Sequence, residues 1–142
     1  MFKILFMILL GTVSVAFAQE GRGCTNASLR GDYAFVLKGT KPSGPPPAPQ
    51  EDVIGLARTR FDGYGGSTNI DNLHATISPL SPDRPGTGTY TINADCTGTG
   101  VLFNAGAPPL QIRIVIVDKG NEVWTITTSP ASVLVIGIGK KI

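Results

Sequence analysis

His74 is the single histidine of the chain, and its imidazole is the side chain whose ordinary pKa lies nearest neutrality, so acid–base chemistry would have to include it. Its nearest acid in sequence is Asp71. In an extended strand two residues three apart project from opposite faces, so they form no local dyad; Asn72 is the same-face neighbour. Asp52 or Asp62 could reach His74 only through the fold, and an exposed or hydrogen-bonded strand histidine is the expectation. Paired carboxylates for glycoside cleavage could be drawn from Asp62, Asp71, Asp95 or Glu122, yet most of these stand among turn formers, Asp62 in Phe61-Asp62-Gly63 above all. Nucleophilic hydrolysis lacks a G-x-S-x-G elbow. Oxygen ligands at EF-hand spacing and clustered His or Cys are missing too, so neither a metal nor another cofactor is expected. Arg58 and Arg60 share a strand face with Ile54 and Leu56, and Arg113 interrupts an apolar strand. Facing inward, these arginines would meet an anionic headgroup at the end of an apolar cavity; facing outward, the expected placement, they are solvated. Arg58, Arg60, His74 and Tyr90 are therefore the candidate ligand-binding residues, and no catalytic residue is assigned.

The compartment is set by the N-terminus. Residues 1–18 carry one cation at Lys3, an apolar run from Ile4 to Leu10 extended to Val15, and the A-x-A site Ala16-Phe17-Ala18, which together read as a secretory signal peptide. The run falls short of the ~20 residues of a spanning helix. Arg22 spoils a lipobox before Cys24, so lipidation is not expected. A secreted or periplasmic mature chain, 19–142, holds only Cys24 and Cys96, so one intramolecular disulfide is available. Closing a loop of roughly 70 residues removes about 4 kcal/mol of unfolded-state freedom on the chain-entropy model.

Stepping along the mature chain, apolar residues alternate with polar ones. Tyr33, Phe35 and Leu37 share one face of a strand over Asp32–Lys38, and further strands are expected at Val53–Phe61, Ser67–Ile77, Gly88–Asn93 and Thr99–Phe103. Tyr90 and Ile92 point inward. Leu110, Ile112, Ile114 and Ile116 share a face, Asp118-Lys119-Gly120-Asn121 turns the chain into Glu122–Thr127, and Val133–Ile138 ends it. Pro79, Pro82 and Pro85 are expected to interrupt pairing and form an exposed connection. The Pro-rich stretch 41–50 reads as an inserted loop between the first two strands, with a docking segment or a lid over one end of the barrel as the functional alternative. About eight strands joined by short turns predict an all-β fold, an antiparallel up-and-down meander barrel closed to remove its edges, with a β-sandwich as the alternative.

Composition narrows the partners. The 142 residues are 15% charged and 42% apolar, with 18 Gly and 11 Pro, which excludes a disordered polyelectrolyte and a charge-laced helical bundle. A net charge of +2 spread along the chain offers nothing to nucleic acid. Aromatics at 7% and short strands argue against insertion in a membrane. The last strands are apolar on both faces, so a loop or a second subunit of a homo-oligomer must cover the outer one.

Three segments carry a resemblance: Ser28-Leu29-Arg30-Gly31-Asp32-Tyr33-Ala34-Phe35, Phe61-Asp62-Gly63-Tyr64-Gly65, and Gly88-Thr89-Tyr90-Thr91-Ile92-Asn93-Ala94-Asp95-Cys96-Thr97-Gly98-Thr99. In order along most of the mature chain they are similar to a group of small, secreted, uncharacterised bacterial proteins in which a signal peptide precedes a first Cys and a second Cys sits in an N-x-D-C-x-G turn. The resemblance implies a small barrel of the allene oxide cyclase or calycin type and no activity, and the Pro-rich insertion departs from the pattern. The functional expectation is a secreted, non-enzymatic barrel that binds a small apolar molecule or serves as an envelope or extracellular interaction module. An isomerase- or cyclase-like enzyme acting by confinement is the alternative.

Overall fold

A computed structural model describes residues 23–142; the signal peptide expected over residues 1–18 lies outside them. Eight strands follow one another: β1 (Arg30–Pro42), β2 (Gln50–Asp62), β3 (Gly66–Ala75), β4 (Ser81–Ile92), β5 (Thr97–Asn104), β6 (Leu110–Val117), β7 (Glu122–Ser129) and β8 (Leu134–Lys141). Each pairs antiparallel with the next, and β8 pairs with β1 from Tyr33↔Lys141 to Thr40↔Leu134, so the sheet closes into a barrel. The meander follows from the turns. Asp62 Oδ1 accepts the amides of Tyr64 (2.7 Å), Gly65 (3.0 Å) and Gly66 (2.9 Å), and Asp95 accepts the amide and hydroxyl of Thr97, each fixing a tight reversal.

Period-2 alternation decides what faces inward. Tyr33, Phe35, Tyr90, Ile92, Ile112, Ile114, Ile116 and Val123 are buried in one cluster, as their alternation predicts. The loops divide by end. The turns after β2, β4 and β6 meet the N-terminal segment at one end; the loops after β1, β3, β5 and β7 crown the other. The first end is solid. Tyr33 and Tyr90 each meet the Phe61 ring edge-on, with centroids 5.3 Å apart in both pairs. Their hydroxyls are satisfied as well: Tyr33 donates to the Gly120 carbonyl, and Tyr90 donates to Leu29 O (2.9 Å) while accepting the Gly63 amide (3.0 Å). The segment before β1 plugs this end, with Leu29 fully buried and the Cys24–Cys96 disulfide tying it to the β4–β5 turn across a sequence separation of 72.

One expectation is corrected. Pro82 and Pro85 lie inside β4 and do not end pairing there, since β4 begins at Ser81 and Pro85 sits opposite Ile70. Proline is tolerated because this half of β4 pairs only with β3, the β5 ladder beginning at Gly86↔Asn104. The Pro85 carbonyl accepts the Ala105 amide, so the side of Pro85 lacking an N–H faces the loop beyond that ladder. On the outer face of the last strands Val36, Leu56, Trp124, Ile136 and Ile138 stay 39–63% exposed on adjoining strands among the described residues. Among the described residues no helix is long and apolar enough to cross a membrane.

Candidate functional site

Above the aromatic layer the barrel is hollow. A cavity of about 890 Å³ opens between the strands and the four loops of the crowned end, with Tyr90 and Phe61 at its floor. Its wall has two characters. Phe35, Leu37, Ile112, Val135 and Gly137, from β6, β8 and β1, make one side largely apolar, with Thr125 and Thr127 of β7 between them donating their hydroxyls to the Gly137 and Val133 carbonyls, whereas Thr59, Ser67, Asn69, Asp71, Arg84 and Asn104 place the remaining polar groups on β2 to β5.

Strand register assembles that polar side. Thr59 pairs with Asn69, Asn69 with Gly86, and Gly86 with Asn104, giving one row across four strands. Asn69 Nδ2 donates to Asn104 Oδ1 at 3.0 Å over the top of Gly86. A Cβ at position 86 would lie 2.0 Å from Asn104 Oδ1 and 2.5 Å from Asn69 Oδ1, so glycine is what lets the two amides meet. Asn69 Oδ1 is shielded from solvent and has no hydrogen-bond partner among the described residues. An unmet buried acceptor costs about 1–3 kcal/mol.

One row nearer the mouth, Asp71 and Arg84 are paired in register and in charge. Arg84 Nε donates to Asp71 Oδ1 and its terminal NH2 to Oδ2, both at 2.9 Å, a two-point contact with the Asp71 side chain 4% exposed. The carboxylate is thereby held as an ion-pair partner, with one oxygen on Nε and the other on one of the two terminal nitrogens.

At the mouth, Glu51 ties the crown together. Its buried carboxylate accepts the Ile77 amide (3.0 Å), the Ser78 amide (2.7 Å) and the Ser78 hydroxyl (2.6 Å), and pairs with Lys41. Burial pulls its pKa up, but the Lys41 ammonium, the Ser78 hydroxyl and the two amides outweigh it, and the pKa falls from 4.5 to about 2. Gln50 Nε2 donates to Ser132 O (3.1 Å), linking the β1–β2 and β7–β8 loops. The Pro-rich loop rims the cavity through Pro42, Pro45, Pro46 and Pro47, so it stands at the mouth, where a lid would be.

The structure separates the residues singled out in the sequence. Arg58, Arg60 and Arg113 are exposed on the outer wall, Arg58 lying 3.3 Å from Asp32. His74 is exposed as well, on the face opposite Asp71. Of the four candidates only Tyr90 borders the cavity. The carboxylates are not brought together either: Asp71 faces the cavity, Asp62 and Asp95 hold turns at the other end, and Glu122 lies beside Lys140 (3.6 Å). Asn69, Arg84 and Asn104 escaped notice because polar side chains in a strand read as solvent-facing. The available signal was parity: Ser67, Asn69 and Asp71 keep step with Leu73 and Ala75, and Arg84 with Gly88 and Tyr90.

Fold and site together define a closed, eight-stranded antiparallel barrel, plugged at one end and hollow at the other. Set beside known proteins, the chain matches no family model, no curated protein and no solved structure.

Proposed function

We propose that the chain is an exported binding protein that holds a small, largely apolar molecule in the hollow end of its barrel. The single observation that carries this reading is the cavity of about 890 Å³. A volume of that order is within the roughly 300–1,000 Å³ of small-molecule sites, and an apolar wall with a few convergent polar groups is their usual composition. Export rests on the signal-like N-terminus and fits the Cys24–Cys96 disulfide, which suits an oxidising compartment. The resemblance to calycin-type barrels supports the same reading by analogy of fold.

The test is saturable uptake of an apolar fluorophore at one site per chain, together with mass spectrometry of an organic extract from gently purified protein. Ala57→Trp puts an indole into the cavity from β2 and is expected to abolish uptake while the circular dichroism stays that of the parent. Failure of the unmodified protein to take up any apolar probe would overturn the reading. Catalysis by confinement would draw on Asp71, the carboxylate facing the same cavity, but the two-point contact with Arg84 leaves that group occupied, and binding is the better account.

A further inference from the structure

From the pairing of every charge at the cavity wall we infer the chemical class of the occupant: an uncharged molecule with an apolar body and one hydrogen-bond donor, a hydroxyl or N–H, directed at the Asn69–Asn104 row. This inference rests on the binding reading above and adds the ligand's charge and polarity. Among the described residues the charged side chains bordering the cavity are Lys41, Asp71 and Arg84. Arg84 is held by Asp71 at two points and Lys41 by Glu51, so no net charge remains to compensate an ionised ligand that leaves water. An anion reaching Arg84 would meet a guanidinium whose charge Asp71 already balances, and a cation reaching Asp71 a carboxylate that Arg84 already balances.

What the wall lacks is a donor for Asn69. Its Oδ1 is an acceptor without a partner among the described residues, next to an amide nitrogen that gives one of its two N–H groups to Asn104. The terminal torsion of an asparagine is soft, so a tilt of the amide plane can present that oxygen to the cavity. A ligand O–H or N–H would then satisfy a group the folded chain leaves unmet, and a ligand of the same shape without the donor would not. The apolar wall of Phe35, Leu37, Ile112 and Val135 stands across from the row and would receive the hydrocarbon part.

Four fluorescent probes with one ring system separate these contributions: pyrene, 1-pyrenemethanol, 1-pyrenecarboxylate and 1-pyrenemethylammonium, titrated against the full mature chain. 1-Pyrenemethanol is expected to bind at least about tenfold more tightly than either ion, and several-fold more tightly than pyrene. In Asn69→Leu the advantage over pyrene should disappear while pyrene itself still binds. Asp71→Asn, which leaves the Arg84 charge uncompensated, should raise the affinity of 1-pyrenecarboxylate relative to the alcohol by about tenfold or more. This gain does not depend on the Asn69 variant folding. Equal binding of the alcohol and the ions by the unmodified protein, or an Asp71→Asn preference unchanged from the parent, would overturn the inference while leaving the binding function standing. If none of the four probes binds, the binding reading fails and this inference with it.

Discussion

The two ends of the barrel are built from the same eight strands and the same alternation, yet one is filled and the other hollow. At the plugged end the inward positions carry Tyr33, Phe61, Tyr90, Ile92, Ile114 and Ile116, large side chains that interlock and whose two hydroxyls find backbone acceptors. Toward the crown Ala57, Asn69, Gly86 and Gly137 stand on β2, β3, β4 and β8 between larger residues such as Leu37 and Leu102, and these small or polar side chains cannot reach across a barrel of this width. Side-chain volume along a strand, and not the backbone, therefore decides where the molecule is stable and where it is hollow.

If stability resides in the plugged end, the largest loss should follow from cutting its staple. Replacing Cys24 and Cys96 by serine frees a loop set by a separation of 72 residues. On the loop-entropy model this should cost about 4 kcal/mol, read as the shift in a urea midpoint at unchanged slope. Next comes a matched pair of truncations. Ile114→Ala opens a void in close packing and should cost about 3 kcal/mol, whereas Leu37→Ala enlarges a space that already exists and should cost about 1 kcal/mol. Equal costs at the two positions would mean that the crowned end closes up in solution, and the contrast between the ends would be lost.

Titration distinguishes the ends by a different route. Burial, then the neighbouring Tyr90, pushes the Tyr33 hydroxyl above its ordinary 10.0; burial, then Asp62, does the same for Tyr90 against the opposing effect of its Gly63 hydrogen bond. A folded pKa above the unfolded one contributes stability that is full below pH 10 and lost as the pH rises through the folded values. Alkali should therefore open the plugged end, seen as cooperative loss of structure together with tyrosinate absorbance. Acid works in the opposite sense. The Glu51 pKa of about 2 gives stabilisation present above its unfolded value of 4.5 and lost as the pH falls toward 2. Asp62, held low by the amides of Tyr64 and Gly66, behaves likewise at the other end. Hydrogen exchange should thus show the Ile77 and Ser78 amides losing protection in acid, and Glu51→Gln should reproduce that loss at neutral pH without touching the Tyr64–Gly66 turn.

The contrast between the ends also marks how far the sequence could be read. Alternation at Tyr33-Phe35-Leu37 and Ile112-Ile114-Ile116, with turn formers between runs, was enough for a closed meander, because a half-buried strand imposes that pattern whatever its partners. Strand lengths were less legible. β1 runs to Pro42 and β4 starts at Ser81, since a proline is excluded from a ladder only on the side that needs its N–H. The site was the least legible part. An inward Asn69 or Arg84 looks solvated by composition, and what turns it inward is a partner 35 residues away for Asn69 and 13 for Arg84, supplied by register alone.

Register governs the outer wall too, and there the smallest effect is expected. Trp124, Ile138, Val36 and Leu56 are brought side by side on four adjoining strands, with Ile136 beside Ile126 in the next row. Each is roughly half exposed, so its apolar surface is only partly removed from water by folding. Ile136→Thr keeps the β-branched shape suited to a strand and removes little buried area, so its effect on stability should stay within about 0.5 kcal/mol. A loss approaching that of Ile114→Ala would mean that this face is covered in solution. Light scattering on the parent and the variant at the same concentration would then show whether a second copy of the chain covers it.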